Sequence, residues 1–245
     1  MLKSASLKIH LTARFKTTFS MPKKPTILFL GDCNTLGTPE IQGDAYPEKL
    51  GRNIDVDILN CGHTMSTTRE GLEYFKAKYD PSIDIICIQY GLVDSWQTFK
   101  YSPYVLYYPD SKRRKIGRKL TKKFKKLCKK LGLNKIIGTN NVVPLKEYIQ
   151  NILTIMQGAN NCSIILIDTA PNKDNSRNPD IENYNEALSE LAAQHASMFK
   201  LSIYHDFATT QQDHYIDPNH ISHEGHQFIA DSLANLIQTD ITTHD

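Results

Sequence analysis

Thr26-Ile27-Leu28-Phe29-Leu30-Gly31-Asp32-Cys33-Asn34-Thr35 is the stretch whose reading decides the fold. Its apolar, partly β-branched start reads as a buried strand, and Gly31-Asp32 marks the sharp turn that ends it. A thiol directly after such a turn sits at the carboxyl end of a strand, where α/β sheets place their chemistry. Far downstream, Asp217-Pro218-Asn219-His220 supplies an acid three residues before an imidazole. Cys, His and Asp are the parts of a nucleophilic triad.

Working outward from this strand, further apolar runs recur at Val56–Leu59, Ile83–Tyr90, Ser163–Asp168 and Leu201–His205. Between and after them lie segments of helical character: Glu40–Leu50, Thr68–Lys78, Leu145–Gln157, Ile181–His195 and His223–Gln238. Alternation of this kind implies an α/β chain with a parallel sheet covered on both faces. There is no internal repeat and no long Gly/Ser linker. In 245 residues the simplest organisation is one α/β domain over 25–240, carrying an insertion over 96–140. Residues 1–24 contain no acid and several Lys, Arg, Ser and Thr. That composition matches a transit peptide, while Met21 offers the alternative of an over-long start. We expect this extension to be disordered or a mis-assigned start.

Charged residues make up 22% and hydrophobic residues 40%, ordinary values for a globular chain. No apolar stretch approaches the roughly 18–20 residues that span a bilayer. The five cysteines (33, 61, 87, 128 and 162) show neither disulfide-framework nor zinc-ligand spacing. Cys87 and Cys162 lie in apolar runs and read as small buried hydrophobes. The expectation is a reducing, cytoplasmic setting.

The net charge of +3 conceals an asymmetry. From Lys112 to Lys135 there are 13 Lys or Arg and no acid, so the remainder of the chain carries about −10. The aromatic residues Trp96, Phe99, Tyr101, Tyr104, Tyr107 and Tyr108 precede this basic run. Within it, Ile116, Leu120, Phe124, Leu127 and Leu131 recur at spacings of 4, 4, 3 and 4, one apolar stripe on a helix otherwise made of Lys and Arg. One reading docks this helix on the domain with its charges solvated. The other, favoured by the single sign of charge, has it meet an anionic partner: a phosphate-bearing donor, an acidic glycan or the inner face of a membrane. Arg113, Arg114, Arg118 and Lys122 are the candidate contacts. The tyrosines precede the helix rather than interleave with it, so specific nucleic-acid binding is not expected.

Four separated segments resemble the blocks of one family, the GDSL or SGNH hydrolases. Gly31-Asp32-Cys33 stands where that family has Gly-Asp-Ser. Asn60-Cys61-Gly62-His63-Thr64-Met65-Ser66-Thr67-Thr68 resembles the second block, Gly91-Leu92-Val93-Asp94 the third, and Asp217-Pro218-Asn219-His220 with Gly225 the last. The resemblance covers about residues 25–238. It implies a three-layer α/β/α sandwich with a flavodoxin-like sheet, and ester or thioester chemistry through an acyl-enzyme. It places Cys33 as the nucleophile, His220 as general base and Asp217 as its orienting partner, and it calls for no cofactor.

The departures are specific. The nucleophile is Cys instead of Ser. The oxyanion glycine of the second block falls at Met65, with Gly62 close by, and His63 is a candidate for the pocket rim. The amide-bearing Asn of the third block is Val93, next to Asp94. Backbone N–H groups survive such changes, but a side-chain donor does not, and losing one typically costs on the order of 100- to 1000-fold in rate. A thiolate is the better nucleophile, and a helix N-terminus and an imidazole would both lower the thiol pKa. His214, His220, His223 and His226 crowd one segment, yet no Cys or Glu set completes a metal site. Three functions follow: a Cys esterase or thioesterase acting on small acylated molecules or glycans; an acyltransferase that modifies a bacterial surface polysaccharide; or a non-catalytic module that binds an anionic polymer.

Overall fold

The structure is a computed structural model and describes residues 23–160, 162–210 and 213–241. Most of the extension over 1–24 therefore lies outside the described residues. The apolar runs form strands β1 (Thr26–Gly31), β2 (Asp57–Gly62), β3 (Ile85–Gln89), β6 (Ser163–Ile167) and β7 (Met198–Leu201). All pair in parallel, in the order β2-β1-β3-β6-β7. The interior strands are buried on both faces, as in sheets covered by crossover helices.

Side chains alternate across the sheet. Leu28, Leu30, Ile86, Ile88, Ile164 and Leu166 meet helices α3 (Thr68–Lys78), α6 (Leu145–Gly158) and α7 (Asn178–Gln194) through Phe75, Ile152 and Leu188. Ile27, Phe29, Ile85, Cys87, Ile165 and Ile167 meet α2 (Tyr46–Ile54), α8 (Tyr204–Thr209) and α9 (His223–Leu236) through Leu50, Phe207 and Ile229. The two apolar layers enclose the sheet, and truncating one such Ile or Leu to Ala costs about 2–5 kcal/mol. The result is a three-layer α/β/α sandwich. Its sheet reverses direction of growth at β1, which leaves a crevice beyond the carboxyl end of that strand.

Two expected elements move. The helix expected from Glu40 begins at Tyr46, because residues 38–44 fold into tight turns with Gly43 at φ 86°. The strand expected over Leu201–His205 lies at Met198–Leu201 instead. Asp168 Oδ2 accepts the N–H groups of Ile203 and Tyr204 (3.1 and 3.3 Å), and α8 starts there.

The segment over 96–140 begins and ends on a two-stranded antiparallel ribbon that periodicity did not reveal. Its strands are β4 (Gln97–Phe99) and β5 (Thr139–Asn141), paired Gln97 with Asn141 and Phe99 with Thr139. Between them run α4 (Lys112–Lys130) and α5 (Leu133–Ile136). Glu70, at the third position of α3, closes a capping box with Thr67 and also accepts bonds from the Tyr104 hydroxyl and the Tyr107 N–H. This buried carboxylate pins the aromatic stretch to the domain.

Most of the apolar stripe of α4 does not dock on the domain, although Phe124 meets Phe99 of β4 edge-on with ring centres 6.0 Å apart. Gly117 packs near Val105, Cys128 is buried, and Ile116, Leu120, Phe124, Leu127 and Leu131 are exposed. Arg118 fixes the rotation of the helix. It donates to the Leu106 carbonyl and the Asp110 carboxylate, and its guanidinium lies 4.9 Å from the Tyr107 ring. Among the described residues no helix is long and apolar enough to cross a membrane.

Candidate active site

Strand β1 ends in Gly31, where a Cβ would stand 1.9 Å from Thr35 Oγ1, so only glycine lets the chain turn back under the next residues. Asp32 then caps the short helix α1 (Cys33–Leu36), its Oδ1 accepting the Asn34 N–H at 2.9 Å. This puts Cys33 at the first helical position, half-buried and a free thiol like the other four cysteines. Burial lifts the Asp32 carboxyl to about 7, against the pull of the Asn34 amide.

Cys33 departs from expectation. Burial, and then the neighbouring Asp32, push its thiol well above the ordinary range, and the N–H groups of Cys33 and Asn34 offset this only in part. A single helical turn has too little dipole to reverse the cost of burying a thiolate. The resting form is therefore the neutral thiol.

The loop before α9 folds as a narrow hairpin closed by a Tyr215–Ile221 bridge and by the bond from Ile216 N–H to the His220 carbonyl. At its tip Asp217 Oδ1 accepts the N–H groups of Asn219 (2.7 Å) and His220 (2.9 Å). Asp217 Oδ2 accepts His220 Nδ1–H at 2.6 Å. Burial raises the Asp217 carboxyl, but these three bonds outweigh it and hold the group below its usual value. With Nδ1 engaged by a carboxylate, Nε2 is the nitrogen left to take a proton.

Asn34 joins the turn to the loop. Its Nδ2 donates to the Asn219 carbonyl at 3.1 Å, and its Oδ1 accepts the Ile221 N–H at 3.3 Å. Asn34 thereby ties the loop that carries Asp217 and His220 to the turn that carries Asp32 and Cys33. Sequence reasoning passed over Asn34, although its place beside Cys33 was a readable signal. Arg177 had no such signal. Its guanidinium lies 4.6 Å from the Trp96 ring and donates to the Leu92 carbonyl (3.0 Å) and Asn219 Oδ1 (3.1 Å), linking the third and fourth segments.

The remaining candidates separate. Met65 lies at φ 62°, a left-handed backbone that favours glycine. Its N–H bonds no other described residue. Gly62 does not supply an oxyanion donor, because Asn60 Oδ1 already accepts its N–H at 2.8 Å. It is glycine because the backbone of α1 passes over it, where a Cβ would stand 2.3 Å from Leu36 N. Val93 is buried and its side chain carries no donor. Asp94 leaves the pocket: it is fully buried and accepts the N–H and hydroxyl of Thr68 (2.9 and 2.8 Å), and burial lifts it to about 7. His63 bonds the neighbouring Thr64 carbonyl, and its ring centre lies 6.1 Å from that of Tyr74.

A cavity of about 660 Å³ opens beside Met65 and Val93 and runs to α4. Trp96, Val105 and Val142 give it apolar walls, and Lys119, Lys122 and Lys125 border it. Cys33 and His220 are not in its lining. Burial holds Lys125 below its usual pKa, and no described carboxylate pairs with it. Of the four expected anion contacts, only Lys122 borders this cavity without an internal partner. Arg114 donates to the Pro109 carbonyl, Arg118 is committed to Leu106 and Asp110, and Arg113 points to solvent. A second cavity of about 480 Å³ is bordered by Trp96, Arg177 and Asn219.

Compared with family models and with curated proteins, the sequence matches none. Solved structures do match. A lipolytic protein of the G-D-S-L family from Desulfitobacterium hafniense superposes with a TM-score of 0.60 at 17% identity, covering 87% of this chain and 99% of that one. A lipase/acylhydrolase from Enterococcus faecalis gives 0.62 at 16% identity, covering 87% and 95%. A catalytic mutant of an acetylxylan esterase from Geobacillus stearothermophilus gives 0.58 at 16% identity, covering 87% and 94%. With its parallel sheet, its order of strands and these neighbours, the chain has the three-layer α/β/α fold of the SGNH hydrolases.

Proposed function

We propose that the chain hydrolyses ester or thioester bonds of acylated small molecules or glycans through an acyl-enzyme on Cys33. The observation that carries this reading is the Asp217–His220 pair, bonded at 2.6 Å and tied to the Cys33 turn by Asn34. Because burial keeps the thiol neutral, deprotonation belongs to the attack itself. His220 Nε2 takes the Sγ proton as Sγ bonds the substrate carbonyl carbon. The N–H groups of Cys33 and Met65 meet the negative charge that develops on the carbonyl oxygen. As the tetrahedral intermediate collapses, the carbon–oxygen or carbon–sulfur bond to the leaving group breaks, and His220 returns the proton to that group. Water, deprotonated by the same nitrogen, then attacks the thioester, and Sγ leaves with the proton. Asp217 holds the ring in one tautomer and favours the imidazolium formed at each stage.

The cavity beside Met65 and Val93 suits a substrate with an apolar part and an anionic group, because Lys122 and Lys125 reach its wall without carboxylate partners. The test is turnover of aryl acetate and acetyl-thioester substrates, with intact-mass detection of an adduct on Cys33. Wild type should turn over and trap the acyl group, and Cys33→Ala should do neither. Hydrolysis by Cys33→Ala at the wild-type rate would overturn the reading.

One observation favours transfer in place of hydrolysis. Trp96 lines two cavities, one beside Met65 and the other beside Asn219, the residue before His220, and these would give a donor and an acceptor separate places. A glycan acceptor that diverts product from free acid to acylated glycan would support transfer. A product ratio that ignores the acceptor would exclude it.

A further inference from the structure

The outward face of α4 is unlike the rest of the surface. Ile116, Leu120, Leu127 and Leu131 stand 54–61% exposed, and Ile136 beyond them 79%. Globular surfaces scatter single apolar residues, but here they form one row along a helix of 19 residues, about 28 Å long. Lys112, Lys123, Lys126 and Lys130 lie at helical spacing on the solvent side of that row. The ion pairs of the segment are Asp110 with Lys115 and with Arg118 on the other side, so among the described residues these four lysines face no carboxylate.

We propose that this face docks α4 flat on an anionic lipid membrane. The apolar row would enter the boundary between headgroups and acyl chains, and the flanking lysines would meet lipid phosphates. The pairing of an apolar row with one sign of charge selects this occupant. A second copy meeting the same face would oppose these four lysines to four more, with no acid among residues 112–135 to pair with them. A nucleic acid would meet the lysines but give the apolar row no apolar medium to enter. The docking rests on the outer face of α4 alone and holds whether or not Cys33 is a nucleophile.

The test is flotation of the full chain with phosphatidylcholine vesicles, with and without phosphatidylglycerol. Wild type should float with the phosphatidylglycerol vesicles and not with the neutral ones, and added salt should weaken this. The double variant Leu120→Ser with Leu127→Ser, and the triple variant Lys123→Glu, Lys126→Glu and Lys130→Glu, should each reduce binding by about tenfold or more. Both should keep the wild-type circular dichroism and the wild-type turnover of a soluble aryl ester. Absence of binding, equal binding to neutral vesicles, or a serine variant that binds like wild type would each overturn the proposal. So would a wild-type dimer in light scattering that the serine variant reduces to monomer, because the occupant would then be a second copy.

Discussion

Asn34 holds the backbone on both sides of His220. Its amide donates to the carbonyl of residue 219 and accepts the N–H of residue 221, so one side chain next to the thiol fixes where the imidazole sits. Asn34→Ala keeps Cys33, His220 and Asp217 but removes this clamp. We expect kcat on an aryl ester to fall by about 10- to 100-fold, with KM changed little, since misplacement by about an ångström has effects of that size. Two lost hydrogen bonds should also lower stability by about 1–3 kcal/mol, measured by denaturant unfolding. A kcat at the wild-type level would show that the hairpin holds His220 unaided.

Asp32 sits beside a thiol that burial already keeps neutral, and its charge raises the thiol pKa further. Removing that charge should make the thiolate easier to form. Asp32→Asn is expected to speed alkylation of Cys33 by iodoacetamide several-fold at pH 8, read by mass spectrometry of the peptide carrying Cys33. Wild-type Cys33 should itself react more slowly than free cysteine. Faster reaction of the wild-type thiol would contradict the neutral resting state.

In the resemblance Val93 takes the place of the amide-bearing Asn of the third segment, and it lines the cavity beside Met65. Val93→Asn restores such a donor at nearly constant volume. If Cys33 forms an acyl-enzyme, kcat should rise by about 10- to 100-fold, below the roughly 100- to 1000-fold cost of deleting a native donor. A fall in kcat with an unchanged melting temperature would mean that the oxyanion lies elsewhere.

His226 is buried, its Nδ1 accepts the Tyr46 N–H at 3.1 Å, and burial lowers its pKa to about 3. The unfolded chain binds a proton at this residue below about 6.5 and the folded chain does not. Stability from His226 is therefore complete above that pH and drains away as pH falls toward 3, by on the order of 5 kcal/mol. Asp32 and Asp94, raised from 3.8 to about 7, act with the opposite sign: the folded state holds their protons as pH falls through that window. The difference between wild type and His226→Gln isolates the histidine. The variant should be less stable at pH 7.5, and its deficit should shrink or reverse by pH 4.5. A deficit independent of pH would mean that His226 protonates freely in the fold.

Much of the fold was legible because its strands are continuous apolar runs, and only a sheet covered on both faces asks for that. Asp217 and His220 were legible because an acid three residues before an imidazole can bond it within one short loop, as they do. Other features depend on partners distant in sequence. Leu201–His205 reads as a strand until Asp168, more than thirty residues earlier, accepts the N–H groups that start a helix there. The ribbon of β4 and β5 joins segments about forty residues apart and is too short for a periodic signal.

By itself the sequence determined the alternation of strands and helices, the thiol after the first strand, and the stripe and charge of the basic helix. Each of these is a local pattern, fixed by the spacing of side chains along one element. Tertiary structure alone decided which way the stripe faces, because the anchoring of Arg118 to residues 106–110 sets the rotation of α4. It also decided the state of Cys33. The residue's place at a helix start argued for a thiolate, but the free energy of a charge depends on everything packed around it, and there burial and Asp32 prevail.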